Sequence, residues 1–341
     1  MKTVLLLFGG ESSEHEVSIA SATNVSKAID STKFEVVYGY IDRKGGWWLV
    51  DGVSDEKPDT ARQLQPVLGG ASFTAEGVEK AISPDVILPI LHGRNGEDGS
   101  VQALAQLTHI PIVGCDMNAG AAGMNKYITK AVAIANNINV VPFRVHFVSD
   151  PTPDYETLTQ SLGNVLFVKP VNAGSSVGVH KVSSQDELVV ALEDAHTHDH
   201  VVLIEKAINA RELEAAVLGN YPRIDVSVVG EITPDREFYS YESKYDEAST
   251  SEVMIPAAID ADMSDKIRLQ AVQIFHLLGG SGLSRVDFFV DKDSDEIYLN
   301  EINTMPGFTD ISMYSKLWAH SGVTYAQLVD KLIDLALEPS T

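Results

Sequence analysis

The chain has 341 residues, 44% of them apolar, enough for two or three domains with real hydrophobic cores. Its 25 Lys and Arg against 48 Asp and Glu leave a net charge of −23. A field of that sign repels nucleic acid and anionic lipid, so neither is expected as a partner. One cysteine, Cys115, excludes an internal disulfide framework. It reads as a small buried hydrophobe in a protein of the reducing cytoplasm.

The apolar run at residues 4–8 is too short for a signal segment or a membrane span and predicts a first β-strand. A helix is predicted over 14–29, with Val17, Ala20, Val25 and Ala28 on its apolar face, then strands over 34–41 and 86–91 and a helix over 100–108. This alternation predicts a parallel sheet with crossover helices, so residues 1–118 read as a small doubly wound domain. A second unit over 119–206 carries helices at 126–136, 155–162 and 186–195 and strands at 144–147, 165–169 and 201–206. From 207 to 341 strands dominate, at 213–218, 223–229, 283–290 and 297–303, with helices at 265–278 and 325–337. The fold class is therefore α/β with an α+β carboxyl-terminal part. His196, His198 and His200 have no second ligand cluster nearby and read as a solvated helix end.

The strongest chemistry lies in a predicted hairpin. A turn centred on Ser294 sets Asp287 opposite Glu301 and Arg285 opposite Asn303, all on one face because side chains alternate along a strand. Opposed carboxylates about 5 Å apart repel unless a cation joins them. Asp, Glu and Asn oxygens together suit Mg²⁺, and Arg285 beside them is an anion clamp. Val286, Phe288, Val290 and Ile302 form the opposite, core-facing side. Asp291, Asp293 and Asp295 imitate the start of a calcium loop, but Glu296 stands where its glycine is needed and Ile302 where its bidentate Glu is needed.

Small residues at 174–178 after the 165–169 strand could cradle phosphate or merely turn the chain. Neither a Walker A spacing nor a dinucleotide fingerprint is present. Lys126, Lys169, Lys206 and Lys244 are each candidate phosphate partners, and each alone could be a surface lysine. Two further loops, at 9–16 and 90–99, follow strands of the first domain, where open α/β sheets bind ligands. Ser13 and Glu16 have capping-box spacing, which on its own makes Glu16 helix-start chemistry.

Gly9-Gly10 with Glu14-His15-Glu16-Val17-Ser18, the loop at 91–99, Asn125-Lys126, Val168-Lys169-Pro170, the 174–178 loop, Leu203 to Lys206, Glu242 to Tyr245, Arg285-Val286-Asp287 and the stretch 300–309 stand in one order along nearly the whole chain. Together they resemble the D-alanine–D-alanine ligases of the ATP-grasp superfamily. The resemblance implies a Rossmann-like amino-terminal domain (1–118), a central lid (119–206) and a carboxyl-terminal domain (207–341), with ATP held between the last two. It implies Lys126, Lys169, Ser175, Ser176, Lys206, Lys244 and Asn300 around the nucleotide, with Glu205, Ala207 and Ile208 at adenine and Glu212 at the ribose. Asp287, Glu301 and Asn303 would hold two Mg²⁺ ions, with Mn²⁺ a possible substitute. Glu16 would meet the ammonium of the first D-alanine, overriding the capping reading, and His92 would sit near its carboxylate. Arg285 and the Gly307 N–H would form an oxyanion site, Lys244, Tyr245 and Ser312 would lie at the second substrate, and Tyr245, Ser175 and Glu16 would share hydrogen bonds.

The activity so implied is ATP-dependent ligation through an acyl phosphate, by a cytoplasmic homodimer supplying peptidoglycan precursors. The polar loop at 237–252 and the central domain would exclude water. D-lactate or D-serine could replace the second D-alanine; Tyr245 after the loop lysine favours a dipeptide product. A noncatalytic nucleotide sensor is the alternative from another class, disfavoured by the intact Arg285, Asp287, Glu301 and Asn303.

Overall fold

A computed structural model of the chain describes residues 1–233 and 252–338. The first sheet holds β1 (Lys2–Gly9), β2 (Phe34–Ile41), β3 (Trp47–Val50), β4 (Arg62–Val67), β5 (Ser72–Ala75) and β6 (Val86–Ile90), in the order β5-β4-β3-β2-β1-β6. Strand β1 runs parallel to both β2 and β6, connected through α1 (His15–Ala28), and α2 (Ser100–Thr108) follows β6. The expected parallel sheet thus holds for three strands, whereas β2 to β5 form an antiparallel meander. The reason is local. The β2–β3 connection is far too short for a crossover, which needs a dozen or so residues. Asp42 Oδ1 instead accepts the N–H groups of Lys44 (2.8 Å) and Gly46 (3.0 Å) and closes a turn.

Two helices, α3 (Met117–Met124) and α4 (Lys126–Ala135), lead into the second sheet. The glycine-containing α3 has weak helix propensity, and no expectation covered it. It forms because Asp116 accepts the Ala119 N–H at 2.8 Å and because Gly123 lets it lie against β-structure; a Cβ there would come 2.8 Å from Thr304 Cγ2. Strand β7 (Phe143–Phe147), α5 (Tyr155–Leu162), β8 (Leu166–Pro170), β9 (His180–Val182), α6 (Gln185–His198) and β10 (Val201–Lys206) follow, with sheet order β7-β10-β8-β9, antiparallel throughout. Its buried cluster, including Leu158, Leu166, Leu188, Leu192 and Val202, is drawn entirely from this unit.

The third sheet, order β13-β12-β11-β14-β15, contains β11 (Ala210–Asn220), β12 (Arg223–Thr233), β13 (Glu252–Met254), β14 (Leu283–Asp291) and β15 (Ile297–Asn303). One face packs on α7 (Ala261–Leu277) and on α3 and α4, through Phe275, Phe288 and Ala133. The other joins α8 (Met313–His320) and α9 (Tyr325–Ala336) to the first sheet, in one cluster running from Val4 and Phe8 to Tyr314, Trp318 and Leu328. Cys115 is buried, as its sequence context predicts, and burial pushes its thiol up to about 12, far from a nucleophile's range. Among the described residues no helix is long and apolar enough to cross a membrane.

Candidate active site

The β14–β15 hairpin pairs as predicted, Asp287 opposite Glu301 and Arg285 opposite Asn303, with Val286, Phe288, Val290 and Ile302 buried behind it. The register slips after Asp287, since Phe288 faces Leu299, which leaves Asn300 as a β-bulge. A bulge re-aims side chains, and Asn300 and Glu301 consequently line the same cleft although they are adjacent in sequence. In the turn, Asp291 Oδ1 accepts the N–H groups of Asp293 (2.8 Å) and Ser294 (3.1 Å), so it closes the hairpin rather than founding a calcium loop.

Strand β11 adds a carboxylate the sequence reading passed over: Glu214 faces Asp287 from the other side. Glu214, Asp287 and Glu301 make a row across three strands. Arg285 donates from Nε and Nη2 to both oxygens of Asp287 at 2.7 Å, and its Nε lies 2.9 Å from Glu214. Burial opposes its charge, but Asp287 and Glu214 hold the guanidinium pKa well above its ordinary value. Lys126 Nζ sits 3.2 Å from Glu301 and donates to the Ala173 carbonyl at 2.7 Å. Among the described residues no three His, Cys, Asp or Glu side chains form a metal cage. Two carboxylates and the Asn303 amide, whose oxygen accepts the Met305 N–H at 3.0 Å, fit Mg²⁺, which leaves positions for phosphate oxygens and water.

From this hairpin a cleft of about 450 Å³ opens between the second and third sheets. It brings together Lys126, Lys169, Ser175, Ser176, Glu205, Lys206, Ile208, Glu212, Asp287, Asn300 and Glu301. Ala207 is beside it, with its N–H bound to the Val165 carbonyl. Ser175 and Ser176 both occupy the left-handed region, at φ +49° and +61°. Two successive serines in that conformation are strained, a condition that loops gripping ligands tolerate. Glu205 is buried, with Lys169 at 2.6 Å and Lys130 at 3.0 Å. Burial alone would raise its pKa, but the two ammonium groups hold it below the usual value.

A smaller chamber of about 70 Å³ adjoins the cleft and shares Lys126, Ser175, Arg285 and Glu301 with it. Glu14, His92, Glu97, Asn303 and Gly307 complete its wall. This corrects the expectation for Glu16. That carboxylate is exposed, paired with Arg43, and lines neither cavity. The N-cap is Glu14, not Ser13, so the capping-box reading fails with it; Ser13 and Glu16 are not the N-cap and N3 pair. The helix starts one residue later than the box requires and turns Glu14 inward. Ser175 Oγ donates to Glu14 at 2.7 Å, tying the 174–178 loop to the first domain. Gly93, at φ +70°, makes room for that carboxylate, since a Cβ there would lie 3.0 Å from Glu14 Oε2.

His92 is buried, its Nε2 3.2 Å from Ser21 Oγ and its Nδ1 3.2 Å from the Met305 carbonyl and 3.8 Å from Glu97. Burial works against its charged form, yet Glu97 and Glu14 raise its pKa above the ordinary value. Burial and the charge of Glu14 raise that of Glu97 despite its contact with His92. Ser312 lines neither cavity; its Oγ accepts the Thr309 N–H at 3.0 Å. Lys244 and Tyr245, and with them most of the loop at 237–252, lie outside the described residues. Sequence reasoning missed Glu14, Glu97, Lys130 and Glu214. Glu214 had a usable signal in the alternation of Glu212 and Glu214 along a strand, and Glu14 and Glu97 both stand inside segments that carry the family resemblance.

Cations facing a carboxylate hairpin, with a second chamber on the far side of the same arginine, suit a nucleotide-dependent ligase. The family models for the D-ala D-ala ligase N-terminus and C-terminus match residues 3–115 and 132–334. The chain is 42% identical to the D-alanine–D-alanine ligase of Heliobacterium modesticaldum, over 98% of this chain and 94% of that one. To D-alanine–D-alanine ligase A of Escherichia coli K12 it is 41% identical, covering 98% and 95%. Among solved structures it is similar to the D-alanine–D-alanine ligase of Coxiella burnetii (TM-score 0.88, 32% identity, 99% and 94% covered). It is equally similar to the VanG D-Ala:D-Ser ligase of Enterococcus faecalis (TM-score 0.88, 36% identity, 98% and 99% covered). The chain belongs to the D-alanine–D-alanine ligase family, ATP- and divalent-metal-dependent ligases whose product serves peptidoglycan synthesis.

Proposed function

We propose that the chain joins two D-alanine molecules through a D-alanyl phosphate, and that the three-unit division at 118 and 206 describes its working parts. The observation that carries this reading is the continuity of the two cavities through Arg285, Lys126 and Ser175. A triphosphate in the larger one ends where a carboxylate in the smaller one begins.

In this reading the cleft binds ATP, with Glu205 and Ile208 at the base, Glu212 at the ribose, and Lys126, Lys169, Ser175 and Ser176 along the phosphates. Lys206 and Asn300 complete that set. Asp287, Glu301 and Asn303 hold two Mg²⁺ ions, which supply charge neutralisation at the phosphates, and Mn²⁺ can replace them. Glu14, in place of Glu16, receives the first D-alanine's ammonium, and His92 meets its carboxylate. The γ-phosphoryl group passes to that carboxylate as its bond to ADP breaks. The second amine then attacks the carbonyl carbon, loses a proton, and phosphate departs with the C–O electron pair. Arg285 and the Gly307 N–H stabilise the oxyanion between these steps. Lys244, Tyr245 and Ser312 serve the second substrate. We infer a homodimer in the cytoplasm.

The similarity to a D-Ala:D-Ser ligase favours D-serine as a second acceptor to be tested. ADP release is measured with D-alanine, L-alanine, and D-alanine plus D-serine or D-lactate, with products weighed by mass spectrometry. The dipeptide D-alanyl-D-alanine is the expected main product, and activity with L-alanine alone would overturn the reading. Scrambling of a βγ-bridge ¹⁸O label in ATP with D-alanine tests the acyl phosphate.

A further inference from the structure

Lys130 sits on α4 one turn after Lys126, facing the same way, and its side chain is wholly buried. A buried ammonium survives only beside a partner. Its anionic partner is Glu205, at 3.0 Å from Oε1, and Nζ also lies 5.7 Å over the Phe143 ring. The other charged groups acting on it are the cations Lys126 and Lys169.

Glu205 is held from both sides, but the two lysines are not equivalent. Lys169 reaches Oε2 at 2.6 Å and also stands 3.5 Å from Asn300 Oδ1, on the hairpin side of the cleft. It can exchange the carboxylate for a phosphate without leaving its place. Lys130 has no such alternative. Lys130 Nζ and Glu205 Oε1 form an ion pair at 3.0 Å in which both atoms are shut off from solvent. Glu205 lines the cleft and Lys130 does not, so the carboxylate can meet a bound molecule while its ion pair with Lys130 is kept.

We infer that Lys130 is a positioning and specificity residue: it keeps Glu205 ionised and fixed as a pure acceptor after Lys169 has turned to the phosphates, so that the pocket favours a purine carrying an exocyclic amino group at C6 over one carrying a carbonyl. This rests on the reading that a nucleoside triphosphate occupies the cleft. An ionised carboxylate accepts from an amino group and repels a carbonyl oxygen, whereas a neutral carboxyl can donate to the carbonyl and loses the distinction.

The test compares Lys130→Gln and Lys130→Met with the unmodified enzyme, using ATP and GTP in turnover and ADP and GDP in calorimetry. The KM for ATP rises ~10-fold and the ATP-to-GTP ratio of kcat/KM falls at least ~10-fold, while the KM for D-alanine stays within about twofold. A merely structural role lowers kcat equally for both nucleotides and leaves their ratio alone, which overturns the inference. Should both variants fail to fold, Glu205→Gln decides: an unchanged ratio there also overturns it. If the unmodified enzyme makes no dipeptide, the ligase reading fails, and the ADP-to-GDP ratio from calorimetry still tests Lys130.

Discussion

Two glutamates two positions apart on one helix start have opposite surroundings. Glu14 is buried against Ser175, while Glu16 faces solvent beside Arg43. Charge-assisted hydrogen bonds contribute roughly 1.5–3 kcal/mol, and exposed ion pairs seldom reach 1 kcal/mol. Glu14→Gln is therefore expected to raise the KM for D-alanine ~10- to 100-fold. Glu16→Gln should leave it within about twofold. Initial-rate measurements against D-alanine separate the two, and equal effects would return the role to Glu16. Arg285→Met should cut kcat ~10²–10³-fold with a smaller change in the KM for ATP. Lys130 gives a pH signature. Burial pushes its ammonium down to about 8 from the ordinary 10.5. Between these values the unfolded chain holds the proton that the folded chain has released, so this group's contribution to stability grows as pH rises from 8 to 10.5. Nucleotide affinity moves the other way, falling as pH passes 8 and Glu205 loses its fixed cation. Calorimetric ADP binding across that range should show the fall, and the Lys130→Gln protein should not.

At the scale of elements, the hairpin was the most legible part of the sequence. Two alternating runs around a polar turn fix which residues share a face, and β14 and β15 pair as that rule requires at Asp287 and Arg285. The Asn300 bulge was not legible, because one extra residue leaves no mark on composition. Helix α3 was hidden by its glycines, and the β3–β5 meander by the habit of reading βα alternation as wholly parallel. Lys130 escaped for another reason: it is defined by Glu205, which packs on it from a distant segment, not by its neighbours in sequence. The hairpin carries its own prediction. Asp287→Asn removes a metal oxygen's charge and the fork partner of Arg285, so half-activation should need ~10-fold more Mg²⁺ in a metal titration. Unchanged Mg²⁺ dependence would count against the ligand set.

Across the whole molecule the cores divide unevenly. The first and third sheets share one apolar cluster through α8 and α9, whereas the second sheet keeps a cluster of its own. Leu188→Ala, in that separate cluster, should cost about 2–5 kcal/mol locally. Hydrogen exchange should quicken in β8 and β10 while β1 and β14 keep their protection. Uniform loss of protection would mean that the three units melt as one.

The separateness of that middle cluster has an evolutionary reading. A segment whose interior owes little to its surroundings is a cassette that recombination can trade between relatives without spoiling either host. The trade is constrained at one point: Glu205 travels with the self-contained part from β7 to β10, whereas Lys130, though within the 119–206 unit, sits on α4, whose Ala133 packs into the third sheet's cluster. Chimeras that match this pair should keep the host's choice of nucleotide fuel, and mismatched ones should fold yet squander it.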